Sequence, residues 1–81
     1  MPFDRDFHAP IIIIIAGARH VVRSVREAAW LLADCWPDVG CQRFRAALAA
    51  CAAAMEGRLA AAKARLAVVE AARAAGVPVL G

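Results

Sequence analysis

Residues 24–37 read SVREAAWLLADCWP (Ser24–Pro37), and this stretch decides how the chain folds. Ser24 followed by Glu27 is a capping-box pattern: the Ser hydroxyl accepts from the Glu27 amide, and the Glu carboxylate reaches back to the Ser24 amide. Glu27 also puts negative charge in the first turn, where the helix dipole favours it. Val25, Ala28, Ala29, Leu32, Cys35 and Trp36 recur at helical spacing on one face, with Leu31 at its edge. Pro37 ends the helix, because the residue before a proline resists helical dihedrals. Asp38-Val39-Gly40 supplies the turn that follows. Trp36 lies on the apolar face and reads as a core plug. Trp30 projects from the opposite side, among Arg26, Glu27 and Asp34. It has two readings: a half-exposed ring lying along its own helix, or an interface anchor, since Trp is enriched at binding hot spots.

Upstream, Met1 to Ala9 is expected to be a flexible lead and 10–23 a β-hairpin. Pro10 introduces Ile11-Ile12-Ile13-Ile14-Ile15, five β-branched residues in a row and a strong strand signal. Ala16-Gly17-Ala18 makes the turn, and Arg19-His20-Val21-Val22-Arg23 returns as the second strand. A strand with one wet face should alternate apolar and polar residues; this one does not, so both its faces call for cover. Helices supply cover on one side. The other side is covered by a second copy of the chain, or else it is partly exposed or the N-terminal tail folds over it. Left bare, such a run is an aggregation hazard.

Downstream, a second helix is expected over 41–56, with Phe44, Ala47, Leu48, Cys51, Ala54 and Met55 on one face. Gly57 breaks it. A third helix runs over 59–75 and stops at Gly76, a good residue for the position after a helix. Ala61, Ala64, Val68, Ala71, Ala72 and Ala75 form its small-residue face. Leu59, Leu66 and Val69 lie on another face beside Lys63, Glu70 and Arg73. Residues 77–81 read as an extended tail. The fold expected is therefore α+β: an N-terminal two-stranded antiparallel β-hairpin followed by three α-helices, in one domain of 81 residues. So short a chain buries only about 60–65% of its unfolded surface, which leaves a monomer marginal.

Composition narrows the function classes. The chain is 63% hydrophobic, but its charge-free stretches, His8–Ala18 and Ala46–Met55, fall well short of the ~20 residues that span a bilayer. The isoleucine run ends in an A-x-A look-alike, Ala16-Gly17-Ala18. The segment before it carries Asp4, Arg5 and Asp6 rather than a positive n-region, so the cytoplasm is preferred to secretion. The three cysteines, Cys35, Cys41 and Cys51, show no CxxC spacing. Cys35 and Cys51 lie on apolar faces and read as buried free thiols. Cys41 opens the second helix, but no partnered base accompanies it, so a reactive thiol is not expected there. The spacing of the three cysteines and of His8 and His20 fits no zinc pattern, and no metal or cofactor is expected.

Several weak motifs in order resemble an alphaproteobacterial family, domain of unknown function family 982. They are Val25-Arg26-Glu27-Ala28-Ala29, Trp36-Pro37, Gly40 with Phe44, Ala47 with Ala50-Cys51, Glu56-Gly57, Ala64-Arg65 and Ala71-Ala72. The resemblance spans about Pro10 to Val77. It implies a hairpin-plus-helices domain and brings no catalytic residues and no established activity. Two departures stand out. Family strands more often alternate, whereas this one is five isoleucines. The family also tends to cap the third helix with Ser or Thr, where this chain has Ala60.

These residues bear on three classes of function. The first is a small non-enzymatic interaction or regulatory module acting as a homodimer, with Ile11, Ile12, Ile13, Ile14, Ile15, Trp30, Leu66 and Val69 as candidate interface residues. An unidentified protein partner fits the same features. The alternative is weak nucleic-acid binding through the basic C-terminal helix. There Arg58, Lys63, Arg65 and Arg73 face one acid, Glu70, and supply the chain's excess of positive charge. Against it, that helix is mostly alanine and offers few side chains able to read bases. The third is an enzyme, which is not expected. Ser24 is the single serine, threonine and tyrosine are absent, and no nucleotide or nucleophile motif occurs.

Overall fold

The computed structural model describes residues 6–37 and 40–80. In chain order the elements are β1 (Asp6–Ile15), β2 (Ala18–Ser24), α1 (Val25–Cys35), α2 (Gln42–Met55), α3 (Ala61–Ala74) and β3 (Val79–Leu80). Helices α1 and α3 pack against one face of a three-stranded antiparallel sheet of order β2-β1-β3, and α2 packs on α1 and α3. The fold is α+β as expected, but the hairpin is not a two-stranded unit. The segment read as an extended tail returns to the sheet: Leu80 pairs with Ile12, Val79 with Ile13, and the Ile14 amide donates to the Pro78 carbonyl at 3.0 Å. Pro78 is tolerated there because an edge strand can spare an amide. This makes β1 the central strand. β1 also starts earlier than expected, at Asp6, so residues 6–9 belong to the sheet rather than to a flexible lead. Met1–Arg5, the expected turn at Asp38-Val39 and Gly81 lie outside the described residues.

The hairpin closes with a two-residue loop. Ile15 pairs with Ala18, and Ala16 and Gly17 take φ of 52° and 80°. Two successive positive φ values give the turn the twist that suits a right-twisted hairpin. Gly17 adopts this freely; Ala16 does so against its Cβ. Further along, the ladder jumps from Ile11–Val22 to Asp6–Ser24, an irregularity on the β1 side. Pro10, which has no amide to give a ladder, sits inside it.

Burial resolves the isoleucine run. Ile11 and Ile13 have no exposed surface, while Ile12, Ile14 and Ile15 are half-buried. The run therefore alternates in environment although it does not alternate in chemistry. Ile11, Ile13 and Val22 join Val25, Ala28, Leu32, Phe44, Ala47, Cys51, Ala64 and Val68 in one core cluster. Phe7 enters the same core from the start of β1, and Trp36 from the end of α1.

Helix ends follow local chemistry. The Ser24 hydroxyl accepts from the Glu27 amide at 3.2 Å, as a cap requires. The Glu27 carboxylate does not return to the Ser24 amide, however; it accepts from the Arg23 amide at 2.8 Å. Ser24 is still a β2 residue paired with Asp6, whereas Arg23 is the neighbour whose amide faces off the sheet. The chain enters α3 without a side-chain cap, at Ala60. It leaves α3 through Gly76, with φ 71°. The Val77 amide then bonds to the Ala72 carbonyl at 2.8 Å and the Gly76 amide to the Arg73 carbonyl at 3.2 Å. This double closure turns Val77 into the core and aims the chain at the β1 edge.

Candidate functional site

The residues expected to form an interface divide by depth. Ile11 and Ile13 are interior, and Val69, placed on a mixed outer face by the sequence, is 9% exposed and part of the core. These three hold the monomer together and offer no surface to a partner. Trp30 is 79% exposed and Leu66 55% exposed, on α1 and α3. Ile12, Ile14 and Ile15 lie between these extremes.

Register assembles an apolar surface that the sequence did not show. Ile12 pairs with Val21 on one side and Leu80 on the other. Directly paired residues point to the same face of a sheet. Leu80, Ile12 and Val21 therefore form one row across the face away from the helices, with Ile14 beside it. Val21 is 42% exposed and Leu80 48%. Val21 and Leu80 were missed because each looks like an ordinary strand or tail residue. Only the long-range pairing of β3 places them beside Ile12.

The free edge of β2 borders a second feature, an open groove of about 560 Å³ between β2 and α1. Val22, Leu31 and Cys35 form its apolar bed, Trp30 stands at its wall, and Arg19 and Arg23 lie on its strand side. The Cys35 thiol donates to Asp34 at 3.6 Å. Its pKa is raised, first by desolvation and then by the Asp34 carboxylate, so it stays protonated at neutral pH. Trp30 also borders a smaller hollow between α1 and α2, with Leu48 and Met55. Trp30, 79% exposed, thus borders two recesses.

The basic residues of the C-terminal segment differ in their surroundings. Arg58 is ion-paired with Glu56 through two guanidinium nitrogens, one of them at 2.9 Å. Arg65 donates its Nε–H to the Ala9 carbonyl at 2.9 Å and is partly buried. Arg73 sits beside the Arg43–Glu70 ion pair, and Lys63 is exposed. Of the cysteines, Cys51 is buried, and burial pushes its thiol up to about 11; Cys35 and Cys41 are half-buried. No group of three or more His, Cys, Asp or Glu side chains placed to hold a metal ion occurs among the described residues. No helix among them is long and apolar enough to cross a membrane.

A family model described as "Protein of unknown function (DUF982)" matches residues 9–79. No curated protein and no solved structure matches the chain. The matched span runs from within the β1 irregularity to the first residue of β3, so it takes in the paired part of the hairpin and all three helices. The chain belongs to the DUF982 family, proteins of unknown function.

Proposed function

We propose that this chain is a small non-enzymatic interaction module that works as a cytoplasmic homodimer, joined through the outer face of its sheet. The observation that carries this reading is the Leu80–Ile12–Val21 row with Ile14 beside it, an apolar surface on the side opposite the helices. Stacking two such faces buries both rows at once and takes their apolar surface out of water. Arg19 and Arg23 flank the row and are long enough to keep their charges in water at the rim of such an interface. Ser24, the single side chain with a nucleophilic hydroxyl, is 3% exposed and committed to capping α1, which supports a binding rather than a catalytic role. The nucleic-acid alternative draws less support, because Arg58 and Arg65 are already engaged with Glu56 and Ala9. Light scattering over a dilution series, on the native chain and on an Ile12→Thr/Ile14→Lys variant, tests the dimer.

A further inference from the structure

β2 is an edge strand, and its backbone groups alternate in direction. The two-residue loop makes Ile15–Ala18 a hydrogen-bonded pair. By the period of two, His20 and Val22 turn their amides and carbonyls toward β1, while Arg19, Val21 and Arg23 turn theirs to the free edge. The far side of β1 shows the same parity: Ile14, opposite Arg19, gives its amide to Pro78 and not to β2. One of the three outward amides is occupied, since Arg23 donates to Glu27 at 2.8 Å. The Arg19 and Val21 amides meet no acceptor among the described residues.

This open edge lies along the groove between β2 and α1. An extended chain laid against β2 would gain main-chain bonds at Arg19 and Val21. It would also drop every second side chain onto Val22 and Leu31, beside Trp30. Its other side chains would stand on the outer face, next to Arg19 and Arg23, which are exposed and have no side-chain partner among the described residues. A second copy suits this edge poorly. Antiparallel pairing of two β2 strands centred on Val21 sets the Arg19 of each copy against the Arg23 of the other, and like charges directly opposite destabilise a ladder.

We infer that the β2 edge and its groove bind an extended peptide in which acidic residues alternate with apolar ones, added as a fourth strand. The acidic side chains lie opposite Arg19 and Arg23, and the apolar ones fill the groove against Leu31 and Trp30. The site shares Arg19, Val21 and Arg23 with the margin of the outer-face dimer contact, but its main-chain bonds at the β2 edge and its groove against α1 do not require that contact.

The test uses an acetylated octapeptide of alternating glutamate and valine, titrated into the full chain and followed by amide chemical shifts and hydrogen exchange. Saturable binding below about 1 mM, with new protection at the Arg19 and Val21 amides, is the expected result. Arg19→Glu with Arg23→Glu should weaken it at least tenfold and create a preference for the lysine–valine counterpart. Val21→Pro removes an outward amide without touching the β1 ladder and should abolish binding in a folded protein. Should that variant fail to fold, the same peptide N-methylated at alternate residues, tested on the native chain, removes the same class of bond. No saturable binding would overturn the inference. So would equal binding of the lysine–valine peptide, or binding that survives Val21→Pro or N-methylation. Protection of the Val21 amide that rises with protein concentration alone would assign the edge to a second copy and overturn it equally.

Discussion

The Nε–H of Arg65, on α3, donates to the carbonyl oxygen of Ala9, on β1, at 2.9 Å. The bond joins residues 56 apart in sequence and lands where the β1 ladder is interrupted next to Pro10. An irregular strand frees carbonyls that a regular ladder would use, and a buried carbonyl needs a donor. Arg65→Ala should therefore cost about 1–2 kcal/mol. Lys63→Ala, two residues earlier and exposed, should change stability by less than about 0.5 kcal/mol. Urea unfolding of the two variants checks the difference; equal losses would mean that Arg65 acts only as a solvated charge.

Two positions carry a local defect that a single substitution repairs. Ala16 holds φ 52° without the glycine or asparagine that this turn prefers. Ala16→Asn should raise stability by about 0.5–1 kcal/mol. Ala60 opens α3 with extended dihedrals and no side-chain cap. Ala60→Ser should add about 1 kcal/mol. The sites lie on different elements, so the double variant should show the sum within about 0.5 kcal/mol in thermal or urea melts.

Cys51 is interior, and its thiol is pushed up to about 11 from an ordinary value of 9.0. A raised folded-state value keeps the proton on in the native chain while the unfolded chain loses it. Stability from this group is therefore full below pH 9 and is lost as pH rises from about 9 toward 11. Cys51→Ala should flatten the alkaline decline of unfolding free energy relative to the native chain. In native protein at pH 8, a thiol reagent should modify Cys35 and Cys41 well before Cys51; rapid labelling of all three would contradict the burial of Cys51.

The helices and the hairpin were legible because their signals are local. Ser24 and Glu27, Pro37, Gly57 and Gly76 mark ends through neighbours one to four residues away. What escaped depends on pairing across the chain. Val79 and Leu80 are two residues after a proline, too short to read as a strand until β1 supplies a partner. The depth of Val69 depends on the angle at which α3 meets the other elements, which its spacing does not encode. The five isoleucines are chemically alike, so sequence could not say which face was inner; the pairing of Ile11 with Val22 and Ile12 with Val21 decides it. Trp30 was legible as an outward residue, but the groove beside it exists only because α1 runs next to the free side of β2.

The account separates the two faces of one strand. Ile13→Ala opens a cavity in the core and should cost about 2–5 kcal/mol, whatever the state of assembly. Ile12→Thr with Ile14→Lys touches only the half-buried outer side. Solution mass by light scattering, over a dilution series of the native chain and of this double variant, tests the central claim most directly. The account predicts a dimer for the native chain, near 17 kDa given a chain of 8.6 kDa, and a folded monomer for the variant. A native chain that stays monomeric at every concentration, or a variant that remains dimeric, would contradict it.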